Sequence, residues 1–152
     1  MTEHTDTPSP FLLRRLAAML YDTLLVLPLI MLSVAVAMGI GQLASGAEAG
    51  SPLNPYLVRV IALLTTIAFF CAFWMKSGQT LGMQAWRIRL VAMPGRTLSL
   101  PRCALRCAGA LLSAACFGLG YLWCLVDRRR RCWHDYLSGT ELVLLPRRRK
   151  GS

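Results

Sequence analysis

The stretch "LAAMLYDTLLVLPLIMLSVAVAMGIGQ", residues 16–42, runs for 27 residues with a single charge, Asp22. A helix needs about 20 apolar residues to cross the hydrocarbon of a bilayer, so this run spans with residues to spare. In lipid every backbone polar group has to be satisfied inside the protein, which makes a helix the natural form for such a run. Arg14 and Arg15 precede it, and "AVA" at 35–37 imitates a leader cleavage site. A secretory leader is nonetheless not expected, because the run outlasts the ~7–15 apolar residues of a leader core and an acid interrupts it.

Composition agrees with a membrane chain. Of 152 residues, 55% are hydrophobic and 16% charged, while the net charge is +10; soluble domains carry about 25% charged residues. A greasy and basic chain is either a nucleic-acid binder or a membrane protein with basic loops. The positions of the 17 Lys and Arg residues decide between them. A nucleic-acid binder spreads its cations along a folded face, whereas here they avoid the apolar runs and gather in particular loops.

A second span is expected at 57–75, bracketed by the interfacial aromatics Tyr56 and Trp74. Arg59 lies in its first turn, from where a long side chain reaches back to the headgroups. The connection 43–56 holds no Lys or Arg, and the loop 76–102 holds five basic residues and no acid. That loop reads as a short β-hairpin, "WRIRLV" and "RTLSL" alternating about "MPG", or alternatively as an interfacial helix over 81–90. "ELVLLP" near the end is a further short strand, and if the chain re-enters, "WRIRLV", "RTLSL" and "ELVLL" lie on one side, where they could pair as a small sheet. Residues 1–10 read as a disordered tail, 11–145 as one membrane domain and 146–152 as a basic tail.

The third apolar stretch, 103–126, is rich in small residues, and Gly109 with Ser113 offers a close helix contact. Positive-inside puts Arg14, Arg15 and the loop 76–102 in the cytoplasm, and 43–56 outside. If the third stretch simply crossed, the eight basic residues beyond it would lie on the wrong side. The favoured expectation is therefore a re-entrant segment broken at "GLG", 118–120, with a third span as the alternative. The fold class is then an all-α membrane protein with two spans, a third re-entrant segment and a small basic cytoplasmic cap.

The order of three short blocks, "RRLAAMLYD" (14–22), "GQTLGMQAWRIRLV" (78–91) and "RCWHDYLSGT" (131–140), resembles the RDD family of small bacterial membrane proteins over roughly residues 11–145. The arginine and two aspartates for which the family is named correspond to Arg15, Asp22 and Asp135. Met83 stands where many members carry a basic residue. The resemblance implies an integral protein of the bacterial inner membrane, with transport of ions or small solutes the role usually suggested.

Among individual residues Asp22 is the leading candidate. It lies seven residues after Arg15, two helical turns on, so the two share a face. An ionisable group inside a span costs roughly 2.5–3.5 kcal/mol on insertion scales, so it is expected to face a partner or a wet cavity. Two readings are open: a proton- or cation-binding carboxylate, or a buried salt bridge to Arg15, Arg106 or the cluster of Asp127, Arg131, His134 and Asp135. Neither catalysis nor a metal is expected of His134 and Asp135. Adjacent helical residues point about 100° apart, and Cys132 with His134 has no further ligand at metal spacing. Asp135 is expected to pair with an arginine or to accept from the turn that follows.

The motif residues Gly78, Gln79, Thr80 and Gly82, lacking the Gly-Lys-Ser/Thr ending of a phosphate loop, read as a turn, as do Gly139 and Thr140. Arg128, Arg129, Arg130, Arg147, Arg148, Arg149 and Lys150 are expected against anionic headgroups, at about 1 kcal/mol each. Membrane lipid, and a second copy or membrane protein, are the expected partners. Nucleic acid, cofactors and enzyme activity are not expected. A small oligomeric transporter and a membrane accessory protein remain as functional alternatives.

Overall fold

The computed structural model describes residues 10–46, 52–95, 97–128 and 130–146. Arg129, Arg147, Arg148, Arg149 and Lys150, with most of both expected tails, lie outside the described residues. The first apolar run forms one helix, α1 (Leu12–Ser45), continuous through Pro28. At 1.5 Å per residue its 34 residues reach about 51 Å, more than a bilayer's hydrocarbon. The second run forms α2 (Pro55–Ser77), which packs against α1. Pro55 starts it where a missing N–H costs nothing, and Asn54 Oδ1 accepts the Tyr56 N–H at 2.9 Å. Both helices are long and apolar enough to span, and most of their large side chains face outward, as a lipid solvent allows.

Two short elements follow α2: α3 (Leu81–Ala85) and the strand β1 (Ile88–Ala92). The expected hairpin does not form. Residues 97–99 carry no regular structure, and Leu100 with Pro101 already opens the next helix, α4 (Leu100–Ala115). A proline in the first turn favours that helix and removes a ladder donor from the would-be strand. The partner of β1 is β2 (Thr140–Leu144), antiparallel, with Leu90 opposite Leu142. Its alternation buries Ile88 and Leu90 on one face and leaves Arg89 on the other. The expected helix at 81–90 is likewise shortened to the five residues of α3.

The 16 residues of α4 rise about 24 Å, too few to cross the hydrocarbon. The chain then turns at residues 116–118, with Phe117 and Gly118 both at positive φ, into α5 (Leu119–Leu122) and a 3-10 turn, Trp123–Leu125. The axes before and after the break differ by 107°. Gly120 lies so close to Ser113 that a Cβ there would collide with the serine side chain, so α5 folds back on α4. The final helix, α6 (Trp133–Ser138), packs along α4, and β2 returns to β1. The third apolar stretch is thus a bent pair of helices, a broken span or a re-entrant loop, and not one straight helix.

The core lies where α1, α2 and α4 meet the sheet, with Ala18, Cys71, Trp74, Met83, Ile88, Leu90, Cys103, Cys107 and Leu142 in one cluster. All six cysteines are unpaired and five are buried, as expected of small apolar residues.

Candidate functional site

Helix α1 buries Arg15, Ala18, Asp22 and Val26, one stripe at spacings of three and four. The two ionic residues on it have separate partners. Asp22, 2% exposed, is held by no arginine among the described residues. Its Oδ2 accepts the Thr80 hydroxyl at 2.5 Å and its Oδ1 accepts the Gly82 N–H at 2.8 Å. Thr80 is the N-cap of α3 and also accepts the Met83 N–H at 3.2 Å. The carboxylate therefore satisfies a donor that the first turn of α3 cannot bond internally. This corrects the expected salt bridge. What a buried carboxylate needs is donors, and hydroxyl and amide groups supply them without burying a second charge.

The rest of the Gly-Gln-Thr-Leu-Gly block serves the same junction. Gly78 ends α2 at φ +71°, and a Cβ there would lie 2.8 Å from the Leu90 carbonyl oxygen. Gln79 Nε2 donates to the Ile88 carbonyl at 2.8 Å. A Cβ on Gly82 would run into the Ala18 carbonyl, so α3 can approach α1 only with glycine at this position. Met83 is buried, and its sulfur accepts from the Trp74 indole at 3.4 Å.

Asp135, fully buried, is the second hub. Its Oδ2 accepts from Arg15 Nη1 at 2.9 Å and from the Cys132 N–H at 2.8 Å, while its Oδ1 takes Arg106 Nη1. Arg15 also donates to the Arg130 carbonyl at 2.7 Å, and Arg106 to Thr140 Oγ1 at 3.0 Å. The clasp thereby joins α1, α4, α6 and the start of β2. The bond from Asp135 to the Cys132 N–H is one half of a capping box, the acid three residues into the helix reaching back to the N-cap. Gly139, at φ +63°, closes α6, and Thr140 exchanges a hydrogen bond with Ser138 at 2.7 Å.

Burial would raise the Asp135 carboxyl, but the Arg106 and Arg15 guanidiniums outweigh it and hold the group well below the usual carboxylate range. His134 is buried beside Arg106, and both effects push it down to about 3, so its imidazole is neutral. Burial pushes the Cys132 thiol up to about 12 against the pull of Arg15, which keeps it protonated.

Cys132, His134 and Asp135 each bring a ligand atom within 4.8 Å of the others. His134 Nε2 lies 3.8 Å from Asp135 Oδ1, so the two side chains converge more than their 100° offset suggests. A cation there would have to displace two guanidiniums from the shared carboxylate and deprotonate the thiol. Among the described residues His134 Nδ1 has no partner, and no side chain of the cluster is an activated nucleophile.

Of the remaining candidates, Asp127 Oδ2 accepts the Arg131 N–H and Oδ1 the Tyr136 hydroxyl, each at 2.9 Å. Arg130 stacks its guanidinium over the Phe11 ring at 3.9 Å, and Arg128 is exposed. α1 packs on α2 and α2 on α4, and between these helices lies a cleft of about 250 Å³. Arg15, Asp22, Arg106 and His134 contribute to its lining, together with apolar side chains such as Leu63, Ile67, Phe70 and Ala110. Sequence reasoning named Arg15, Asp22, Arg106 and Asp135 but did not find Thr80 and Gly82 as the partners of Asp22.

The neutral buried His134 sets a pH dependence. Between about pH 3 and its ordinary 6.5 the unfolded chain binds a proton that the folded one does not. Stability is therefore complete above pH 6.5 and falls as pH drops through that window, by at most about 1.4 kcal/mol per pH unit. The Asp135 contribution has the same sign, but it is lost only below its ordinary value of 3.8. Thermal unfolding of His134→Gln is expected to be flat from pH 6.5 to 4.5 where the parent slopes; equal slopes would remove His134 as the cause.

Two membrane-length helices, a bent third segment and buried ionic hubs beneath a two-stranded cap define an integral membrane protein with several membrane-embedded segments. The sequence matches the RDD family over residues 9–139, and the chain belongs to that family. Comparison with curated proteins and with solved structures gave no match.

Proposed function

We propose that the chain is a non-conducting accessory protein of the bacterial inner membrane, presenting a basic cytoplasmic end to anionic headgroups or to an acidic partner. The observation that carries this reading is the commitment of both buried carboxylates. Asp22 is occupied by Thr80 and Gly82, and Asp135 by two arginines, at 2% and 0% exposure. A relay carboxylate needs a wet path, and the space beside Asp22 is walled mainly by hydrocarbon. Positive-inside favours the arginine-rich end as cytoplasmic, with both termini there.

Transport is the second reading, favoured by the contact between the cleft and Asp22. It requires an oligomer, because two spans and a re-entrant segment barely enclose a path. The protein is reconstituted into liposomes under a proton or Na⁺ gradient. The accessory reading expects flux at the level of protein-free vesicles, unchanged by Asp22→Asn. Flux that Asp22→Asn abolishes overturns it in favour of transport. A reporter fused after residue 152 is expected to be active in the cytoplasm only.

A further inference from the structure

Two neighbouring polar side chains in the lining of the 250 Å³ cleft, Tyr121 and His134, are left unpaired by the fold. Their rings are tilted at 56° with centroids 5.0 Å apart. Among the described residues neither the Tyr121 hydroxyl nor either ring nitrogen of His134 makes a hydrogen bond. Asp135 Oδ1 lies 3.8 Å from His134 Nε2, too far for one. His134 is 5% exposed and its imidazole is neutral. Buried polar groups are nearly always paired, so an unpaired one facing a cavity points to something that the cavity takes up.

The charged groups of the same lining are already engaged. Arg15 and Arg106 share Asp135, and Asp22 accepts from Thr80 and Gly82. A charged head would have to break one of these buried pairs, whereas an uncharged one leaves them whole. Most of the remaining wall is hydrocarbon, Ile67 and Phe70 included. Met19, Leu63 and Leu111 also line the cleft and are exposed, so it opens on the outer surface of the helices, where lipid lies. A dry cavity of about 150 Å³ holds a benzene, so this one takes roughly ten non-hydrogen atoms.

We propose that the cleft binds an uncharged amphiphile from the membrane, its head a hydroxyl group that meets Tyr121 and His134 and its apolar body lying along α2 and α4. A hydroxyl donates and accepts at once, so it pairs with the phenol and with either tautomer of a neutral imidazole. That chemistry has two sources, an aliphatic alcohol such as a glyceride or an aromatic one such as a phenolic lipid. The inference goes beyond the accessory role and needs only the membrane placement.

The test uses Trp74, which lines the cleft, as the reporter. The full-length protein in phosphatidylcholine nanodiscs is titrated with ω-bromodecanol and para-bromophenol, whose bromine quenches a nearby indole. Bromodecane and bromobenzene are the hydroxyl-free controls, and ω-bromodecanoate is the charged one. Concentrations are taken in the lipid phase, and quenching that persists in Trp74→Phe is subtracted. Saturable quenching by a hydroxyl probe is expected, at least fivefold tighter than by its hydroxyl-free control. The tighter of the two hydroxyl probes identifies the aliphatic or the aromatic source. Tyr121→Phe and His134→Phe should each weaken binding at least threefold, and Ala110→Phe, which fills the cleft, should abolish it. Leu32→Ala, exposed on α1 and outside the lining, should leave it intact. Unfolding temperature identifies any variant that loses the fold, and Tyr121→Phe, which removes only an unpaired hydroxyl, keeps the test open if His134→Phe does. Equal binding with and without the hydroxyl, tighter binding of the carboxylate, or unchanged binding in folded Tyr121→Phe overturns the proposal. None of these results bears on flux, so the proposal and the accessory reading fail separately.

Discussion

Asp135→Asn is expected to cost about 3–5 kcal/mol and to disperse the basic end of the protein, because removing one member of a buried ionic cluster leaves the others uncompensated. Arg15 and Arg106 are both almost fully buried, and Asp135 is the carboxylate that each of them holds. An asparagine offers one oxygen where the carboxylate served Arg15, Arg106 and the Cys132 N–H, and it carries no charge. The loss registers as a lower unfolding temperature and as aggregation on size exclusion in detergent. The same physics makes a second outcome specific. Burying two guanidiniums and a carboxylate is costly in itself, so the triple variant Arg15→Met, Arg106→Met, Asp135→Leu is expected to be more stable than Asp135→Asn alone. It still loses the acceptor for the Cys132 N–H, a penalty of about 1–3 kcal/mol. A triple variant less stable than the single one would mean that the clasp is not governed by uncompensated charge.

The clasp also shows what sequence reasoning reached and what it could not. Length and hydropathy place α1 and α2, since few structures other than helices satisfy a backbone in lipid. The break at Gly118 was visible as well, because a glycine pair inside an apolar run and a misplaced block of arginines pointed to the same turn. Partners were visible only in part: "WRIRLV", "RTLSL" and "ELVLL" were expected on one side, able to pair as a small sheet, and only the first and last of them do. Alternation in "WRIRLV" shows which side chains share a face but not which strand lies beside it, and β1 pairs with a segment about 50 residues away. Asp135 was expected to hold an arginine, but the two that it holds are 120 and 29 positions distant. The capping relation to Cys132 was obscured because cysteine is not a usual N-cap. Asp22 is the most instructive case. A carboxylate in a span announces that it needs partners, and the natural search is for a cation, whereas the fold supplies a hydroxyl and an amide. The available signal was the block "QTLG" itself, a threonine able to cap a helix and a glycine two residues on where backbone could approach.

That glycine carries the other large effect. Gly82→Ala is expected to destabilise the protein by about 3 kcal/mol, combining overpacking with damage to a buried hydrogen bond. The added Cβ would meet the Ala18 carbonyl oxygen on α1 and would lie 2.9 Å from the Asp22 carboxyl carbon. Neither neighbour can give way easily: one is the backbone of a spanning helix, and the other is fixed by Thr80 and by Gly82 itself. α3 must then back away from α1, which lengthens the bond from the Gly82 N–H and leaves Asp22 short of a donor. Asp22→Asn is the milder change, about 1–2 kcal/mol, since an amide oxygen can keep one of the two bonds. The two sites share one contact, so Asp22→Ala combined with Gly82→Ala should cost clearly less than the sum of the single variants. Gly39→Ala supplies the contrast. It lies in α1 with nothing within 4 Å of an added Cβ, and the better helix former should leave stability unchanged or raise it by about 0.5–1 kcal/mol. Thermal unfolding of the five variants, with Asp22→Ala alone among them, decides the matter. Additive losses at Asp22 and Gly82, or a Gly82→Ala variant as stable as Gly39→Ala, would mean that the junction of α1 and α3 does not depend on this close approach.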